Sequence, residues 1–181
     1  LKYANNAAEF VYYFKATARK YGVPLVQEYI PGDEIYGVSA LFNKESKPRA
    51  LFVHKRIRQF PITGGPSTYR MSVSNPALAK LGSKLLEEMK WYGVAMVEFK
   101  VDPRDGKPKL MEVNPRFWGS LNLAIAAGVD FPYLLYKMAV EGDVQPTFKY
   151  KVGIKARYLL FGDVFHFATS SNRLKLLPDF M

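Results

Sequence analysis

The stretch from Gly93 to Ser120, GVAMVEFKVDPRDGKPKLMEVNPRFWGS, constrains the fold more than any other part of the chain. Val94 to Val101 and Lys109 to Asn114 alternate as strands do, and Pro103, Asp105 and Gly106 between them supply turn chemistry. A turn centred on Asp105 sets Glu98 opposite Glu112, with both side chains on one face of the ladder. Asn114 lies one step further along that face, because same-face residues are two apart. Like charges directly opposite are destabilising, so a cation belongs between the two glutamates. Three oxygen-bearing side chains on one rigid hairpin suit a hard divalent ion such as magnesium, which shares itself with phosphates. Lys100, on the same face, offers the other solution, an ordinary ion network without a metal.

The continuation Glu112-Val-Asn-Pro-Arg116 resembles the metal- and phosphate-binding hairpin of the ATP-grasp superfamily. In those enzymes a first acidic residue and a later Glu-x-Asn bind the magnesium ions on the ATP phosphates, and an arginine two residues on contacts phosphate or substrate. The resemblance implies that Glu98, Glu112 and Asn114 are metal ligands, for magnesium or alternatively manganese, and that Arg116 is catalytic. A second segment, Val26-Gln-Glu-Tyr-Ile-Pro-Gly-Asp-Glu34, resembles the one that holds adenine and ribose. It implies an ATP-binding role for Gln27, Glu28, Tyr29 and Ile30, with main-chain groups of Glu28 and Ile30 on the adenine edge and the Ile30 side chain over the base. Glu34 would accept from both ribose hydroxyls, as an acceptor-only carboxylate can. Gly32 allows the tight turn between them. The plainer reading is a turn followed by a strand-edge charge.

Val53-His-Lys-Arg-Ile-Arg-Gln59 alternates so that Lys55 opposes the face of His54, Arg56 and Arg58. The resemblance implies that this strand turns a basic residue toward the phosphates or the acyl phosphate. Arg58 is the first candidate and Arg56 the second; a basic edge strand that discourages aggregation is the alternative. From Gln59 to Arg70 the chain reads as a loop rich in glycine and hydroxyls. Gly64-Gly65 can bring backbone N–H groups close to an anion, although no Walker pattern GxxxxGK[ST] is present. The resemblance makes the loop substrate-facing, with Ser67, Thr68 and Arg70 as minor candidates.

The remaining elements follow from periodicity and punctuation. A helix over Asn5–Tyr21, capped by Asn5 or Asn6, places Tyr12, Tyr13 and Phe14 toward a core. Strands are expected over Leu25–Ile30, Ile35–Asn43, Arg49–Arg58 and Gly153–Phe161. Pro76–Trp91 reads as a helix with an apolar stripe of Leu78, Leu81, Leu85 and Met89. Leu121–Ala127 and Phe131–Val140 read as two further helices. The fold class is α+β: the second lobe of the ATP-grasp fold, an antiparallel sheet flanked by helices, with the first lobe missing. Residues 1–140 form the partial ATP-grasp domain with its linker, and 141–181 an extension of the same domain.

Composition narrows the function. The 181 residues, 49% hydrophobic and 23% charged, are those of a globular chain. No apolar run approaches the ~20 residues that span a bilayer. The absence of cysteine removes disulfides and thiolate chemistry, and two histidines are too few for a histidine metal cluster. Leu1 opens the chain without a signal-peptide pattern, which points to a piece of a longer cytoplasmic protein. The formal charge of +10 is compatible with nucleic acid, an anionic surface or a small anionic ligand. No nucleic-acid-binding signature is present, so ATP and a small acid are the expected anions, with no nucleic acid or membrane partner. Self-association is compatible with the sequence. The expected activity, implied by the resemblance, is an ATP-dependent ligase that activates a small-molecule carboxylate as an acyl phosphate for attack by an amine or similar nucleophile. A bicarbonate-using carboxylase or carbamoyl-phosphate-synthase-like enzyme is the alternative. A nucleotide- or nucleic-acid-binding module without turnover is the reading from another class. A fragment lacking the first lobe is expected to be inactive by itself.

Overall fold

In the computed structural model, residues 2–179 are described, and the chain forms two compact units, Leu1–Pro31 and Gly32–Met181. The first is built on helix α1 (Ala7–Tyr21). Asn6 caps it, accepting a hydrogen bond from the Glu9 amide, and Gly22 ends it at φ 84°. Contrary to the expectation from the pattern, α1 buries no residue, and Tyr12 is largely exposed. Leu25–Ile30 does not form a strand either. The segment is not one of the strands of the sheet, and Leu25 and Val26 are exposed.

The second unit is a six-stranded, fully antiparallel sheet. Its strands are β1 (Ile35–Phe42), β2 (Pro48–Gln59), β3 (Ser67–Ser72), β4 (Gly93–Val101), β5 (Pro108–Asn114) and β6 (Lys155–Arg157). Their order is β5-β4-β1-β2-β3-β6. Alternation divides β1 cleanly. Val38, Ala40 and Phe42 enter one core with Val53, Ala95, Val97 and Phe99, while Leu41 enters another with Phe52 and Met96. Helix α2 (Pro76–Glu88) covers the first face through Leu78 and Leu86. Helices α3 (Leu121–Ala126) and α4 (Phe131–Glu141) cover one end of the second through Leu123, Ala124, Phe131 and Met138. The other end of that face carries polar residues.

Several expected boundaries move for physical reasons. The buried stripe of α2 runs through Leu78, Gly82 and Leu86, not through Leu81 and Met89, which are exposed. Gly82 sets this rotation: a Cβ there would stand 2.9 Å from Val38 Cγ1, so the helix backbone lies against β1. The helix stops at Glu88 rather than Trp91, since Lys90 takes a left-handed φ of 52°. The expected loop 59–70 is shorter, because Ser67–Ser72 pairs with β2. The expected strand 153–161 shrinks to Lys155–Arg157, which runs antiparallel to Tyr69–Met71 of β3. After β6 come a wide turn (Leu159–Asp163) and two short helices, α5 (Val164–Thr169) and α6 (Arg173–Leu176). No helix is long and apolar enough to cross a membrane among the described residues.

Candidate metal and anion site

The hairpin forms as its turn chemistry demands. Gly106, at φ 67°, closes it with its amide 2.8 Å from the Asp102 carbonyl, and Met96, Val97 and Glu98 face Asn114, Val113 and Glu112. Glu98 therefore lies opposite Glu112, and Asn114 follows on the same face. Beyond Glu98 the register shifts by one residue at a bulge, so that Phe99 faces Leu110. The bulge falls on β5 alone, so β4 keeps its alternation.

Glu98 is buried, whereas Glu112 is exposed. Burial is the largest influence raising the pKa of Glu98, and the charge of Glu112 adds to it; Arg56 and Arg116 act in the opposite direction. The cation at Glu98 comes from β2: Arg56 Nη2 stands 2.9 Å from Glu98 Oε2. Arg56 Nη1 also donates to Gln59 Oε1 at 2.9 Å and to the Gly65 carbonyl at 3.1 Å. On β5, Asn114 Nδ2 donates to Glu112 Oε1 at 2.7 Å. Arg116 donates to Asn114 Oδ1 and to the Phe117 carbonyl. Buried Trp118, edge-on to Phe131 at 5.0 Å, pins the segment that carries Arg116.

Glu98, Glu112, Asn114 and Arg116 thus share one patch. Two carboxylates and an amide oxygen make a hard-oxygen donor set of the kind magnesium accepts when phosphates and water complete its shell. No group of three or more histidine, cysteine or acidic side chains suited to a metal occurs among the described residues. This donor set therefore fits a metal shared with a ligand better than an all-protein cage.

Arg58, the first candidate on β2, is turned away from this patch. A bulge after Arg56 sets Arg56 against Arg70 but Arg58 against Tyr69, and a slip of one residue moves a side chain to the other face. Arg58 lies over the Tyr69 ring at 4.3 Å and pairs with buried Asp163 through two contacts of 2.7 Å. Arg56, the second candidate, is the one that reaches Glu98. Glu34, the ribose candidate, lies apart from Glu98 and Glu112. Its carboxylate accepts from Tyr36 at 2.7 Å and pairs with Lys55 at 2.6 Å, and Tyr36 packs with the α2-side core. Both contacts hold its pKa down, Lys55 first. Gln27, Glu28, Tyr29 and Ile30 lie in the first unit, outside any helix or strand, with Tyr29 edge-on to Tyr3 at 5.3 Å.

The polar face extends further than the candidate residues. His54, on the row of Glu98 and Gly37, is buried, and its Nε2 lies 3.2 Å from Ser120 Oγ. A Cβ on Gly37 would fall 2.2 Å from His54 Cε1, so the glycine is the space the imidazole occupies. A glycine inside a strand marks such a close approach, and Gly37 was the signal in the sequence for this histidine. Burial, aided by the charges of Arg70 and Arg56, lowers the His54 pKa from 6.5 to about 3. The folded state keeps the ring neutral while the unfolded state takes up a proton below its ordinary pKa. The stability is full above about pH 6.5 and is lost as pH falls toward 3. Between about pH 7 and pH 5 the loss should be about 2 kcal/mol. Urea unfolding of wild type and His54→Gln checks this: the variant should lose that share of the pH dependence, and parallel curves would refute it.

Ser67, Thr68 and Arg70 separate in the structure. The Ser67 hydroxyl bonds the Arg58 and Tyr69 carbonyls, Thr68 Oγ1 reaches Asp163 at 3.5 Å, and buried Arg70 lies beside Arg56 on the site face.

The fold is found in known structures. The fold is similar to a biotin carboxylase from Campylobacter jejuni in complex with β,γ-ATP, at 15% identity and a TM-score of 0.64, over 82% of this chain and 34% of that one. It is similar to N5-carboxyaminoimidazole synthetase from Staphylococcus aureus at 16% identity and a TM-score of 0.64, over 97% and 45%. It is also similar to the biotin carboxylase domain of the Hydrogenobacter thermophilus 2-oxoglutarate carboxylase, described in complex with MgADP, ADP and bicarbonate. There the identity is 15% and the TM-score 0.63, over 83% and 36%. The chain spans less than half the length of each of these structures. No curated protein matches it in sequence. The fold is that of the ATP-grasp superfamily. Residues 22–159 match the model of one family within it, described as ATP-grasp in the biosynthetic pathway with Ter operon. The chain belongs to that family.

Proposed function

We propose that this chain is the ATP-binding part of an ATP-dependent ligase that activates a carboxylate as an acyl phosphate for attack by an amine or similar nucleophile. The observation that carries this reading is the pairing of Glu98 with Glu112, with Asn114 beside them, on the open end of one sheet face. In an ATP-grasp chain these three would hold magnesium, with manganese as the alternative. The ion, when bound, neutralises charge on the transferring phosphate. Arg116, fixed by Asn114 and the Phe117 carbonyl, would hold the acyl phosphate, with Arg56 in place of Arg58 as its partner. Gln27, Glu28, Tyr29 and Ile30 would receive the adenine. Glu34 would exchange Tyr36 and Lys55 for the ribose hydroxyls.

A second enzyme reading, bicarbonate as the carboxylate, draws support from the similar carboxylase structures and from the Asn114-Pro-Arg116 wording. In either reading the partners are small molecules, an acid and a nucleophile, in the cytoplasm, with no nucleic acid or membrane. The test is phosphate release by the full-length protein, with magnesium and ATP, across panels of acids and amines with bicarbonate among them. Release that needs both ATP and an acid is the expected result. ATP binding without release on any acid would favour a non-catalytic binding module.

A further inference from the structure

Helix α4 is apolar on two opposite sides. Phe131 and Met138 are buried, and Leu134 and Leu135 pack with them against the second core. On the outer side Tyr133, Tyr136 and Val140 are exposed, at 55%, 65% and 66%. With Lys137 they fall at i, i+3, i+4 and i+7, so they form one stripe along the helix. A helix that is apolar all round is ordinarily covered on all sides. This one is covered on its inner side, while the outer stripe faces solvent.

Charge says what fits there. Lys137 and Glu141 run along one flank of the stripe, with Lys137 Nζ 3.4 Å from Glu141 Oε2 and 5.9 Å over the Tyr133 ring. An exposed pair of this kind adds little stability by itself. The chain carries a net charge of +10, so two copies repel over most of their surface. The outer face of α4 holds one cation and one anion and is locally neutral, and its complement is a second copy of itself. Two α4 helices running antiparallel about a two-fold axis level with Ala139 set Lys137 opposite Glu141 of the second copy, and Glu141 opposite its Lys137. Both charges lie on the same flank, and like flanks meet in an antiparallel pair. Val140, one residue from the axis, meets its own counterpart, and Tyr136 and then Tyr133 extend the contact outward. A self-complementary contact of this kind closes at two copies and does not propagate.

We propose that the outer face of α4, formed by Tyr133, Tyr136, Lys137, Val140 and Glu141, binds a second copy of this chain in an antiparallel helix pair. The pairing is independent of the function proposed above. A single helix pair buries less than the ~1,200 Å² of stable interfaces, so the dimer is weak and reversible, with a Kd on the order of 10 μM.

The experiment is sedimentation equilibrium of the full-length protein without metal or nucleotide. Wild type should pass from monomer to dimer through the micromolar range. Lys137→Glu and Glu141→Lys should each weaken the dimer at least about tenfold, because the two-fold axis makes each change count twice. The two variants mixed should associate again about as tightly as wild type, since one then presents two acids and the other two bases. The double variant Lys137→Glu with Glu141→Lys should also dimerise like wild type. Val140→Asp, which sets two carboxylates beside the axis, should abolish association. All these positions are on the exposed side of α4, and far-UV circular dichroism should show the fold unchanged. A wild type that stays monomeric well above the expected Kd overturns the proposal and assigns the stripe to another part of the full-length protein or to a different partner. A dimer indifferent to both single charge reversals overturns it by placing the interface elsewhere. Single variants that weaken the dimer but do not restore it on mixing overturn the antiparallel pairing.

Discussion

Replacing Asp163 by alanine should lower the stability of the second unit by about 3–5 kcal/mol. Asp163 is fully buried at the end of the wide turn after β6, and its carboxylate takes both forks of Arg58 at 2.7 Å. Arg157 stands 3.6 Å from the same carboxylate, and Thr68 donates to it at 3.5 Å. Gly162 brings the turn within 3.2 Å of Thr68, measured from where its Cβ would be. Removing one member leaves the Arg58 guanidinium buried without its anion, which is far worse than never having buried the pair. The double change Asp163→Leu with Arg58→Met should therefore recover most of the loss. Urea unfolding measures both variants, and hydrogen exchange should locate the damage in β3, β6 and the segment after residue 158. A loss below about 1 kcal/mol for Asp163→Ala would show that water reaches the pair and screens it.

That cluster marks the limit of what local sequence can tell. The β4–β5 hairpin was legible, because a turn residue, two alternating strands and a fixed register are encoded within a few residues of one another. The pairing of Glu98 with Glu112 followed from that alone, and the two helices after the hairpin followed from periodicity. Arg58 was misplaced because alternation assumes an unbroken ladder, and the bulge after Arg56 carries no composition signal. Asp163 was invisible because its partner lies 105 residues away in the chain. The stripe of α2 was misread by one residue position because a glycine, which has no hydropathy to speak of, sits at the centre of the buried face. Tyr12, Tyr13 and Phe14 sit in a helical pattern, but such a pattern does not say whether anything covers the helix. Among the candidate residues, Glu98, Glu112 and Asn114 lie together on one face, while Glu34 bonds to Tyr36 and Lys55.

The paired glutamates also separate two readings of the hairpin, a metal site and an ion network. In an ion network without metal, the carboxylates would be neutralised by protein cations, and each would add to stability. Arg56 does neutralise Glu98, but Glu112 accepts a hydrogen bond from Asn114, an uncharged donor, and faces Glu98 across the ladder. Glu112→Gln keeps the shape and removes one of two opposed charges, so the metal-free protein should gain slightly, by at most about 1 kcal/mol given the exposure of Glu112.

The most direct measurement is the melting of the full-length protein, wild type and Glu112→Gln, with and without magnesium-ATP. Binding to the native state alone confers about 2.7 kcal/mol at a hundredfold excess over Kd. Wild type should show that stabilisation, and the variant should lose nearly all of it while melting no lower than wild type in the absence of ligand. A variant that is destabilised without ligand yet keeps the full magnesium-ATP shift would contradict the metal assignment of Glu98, Glu112 and Asn114.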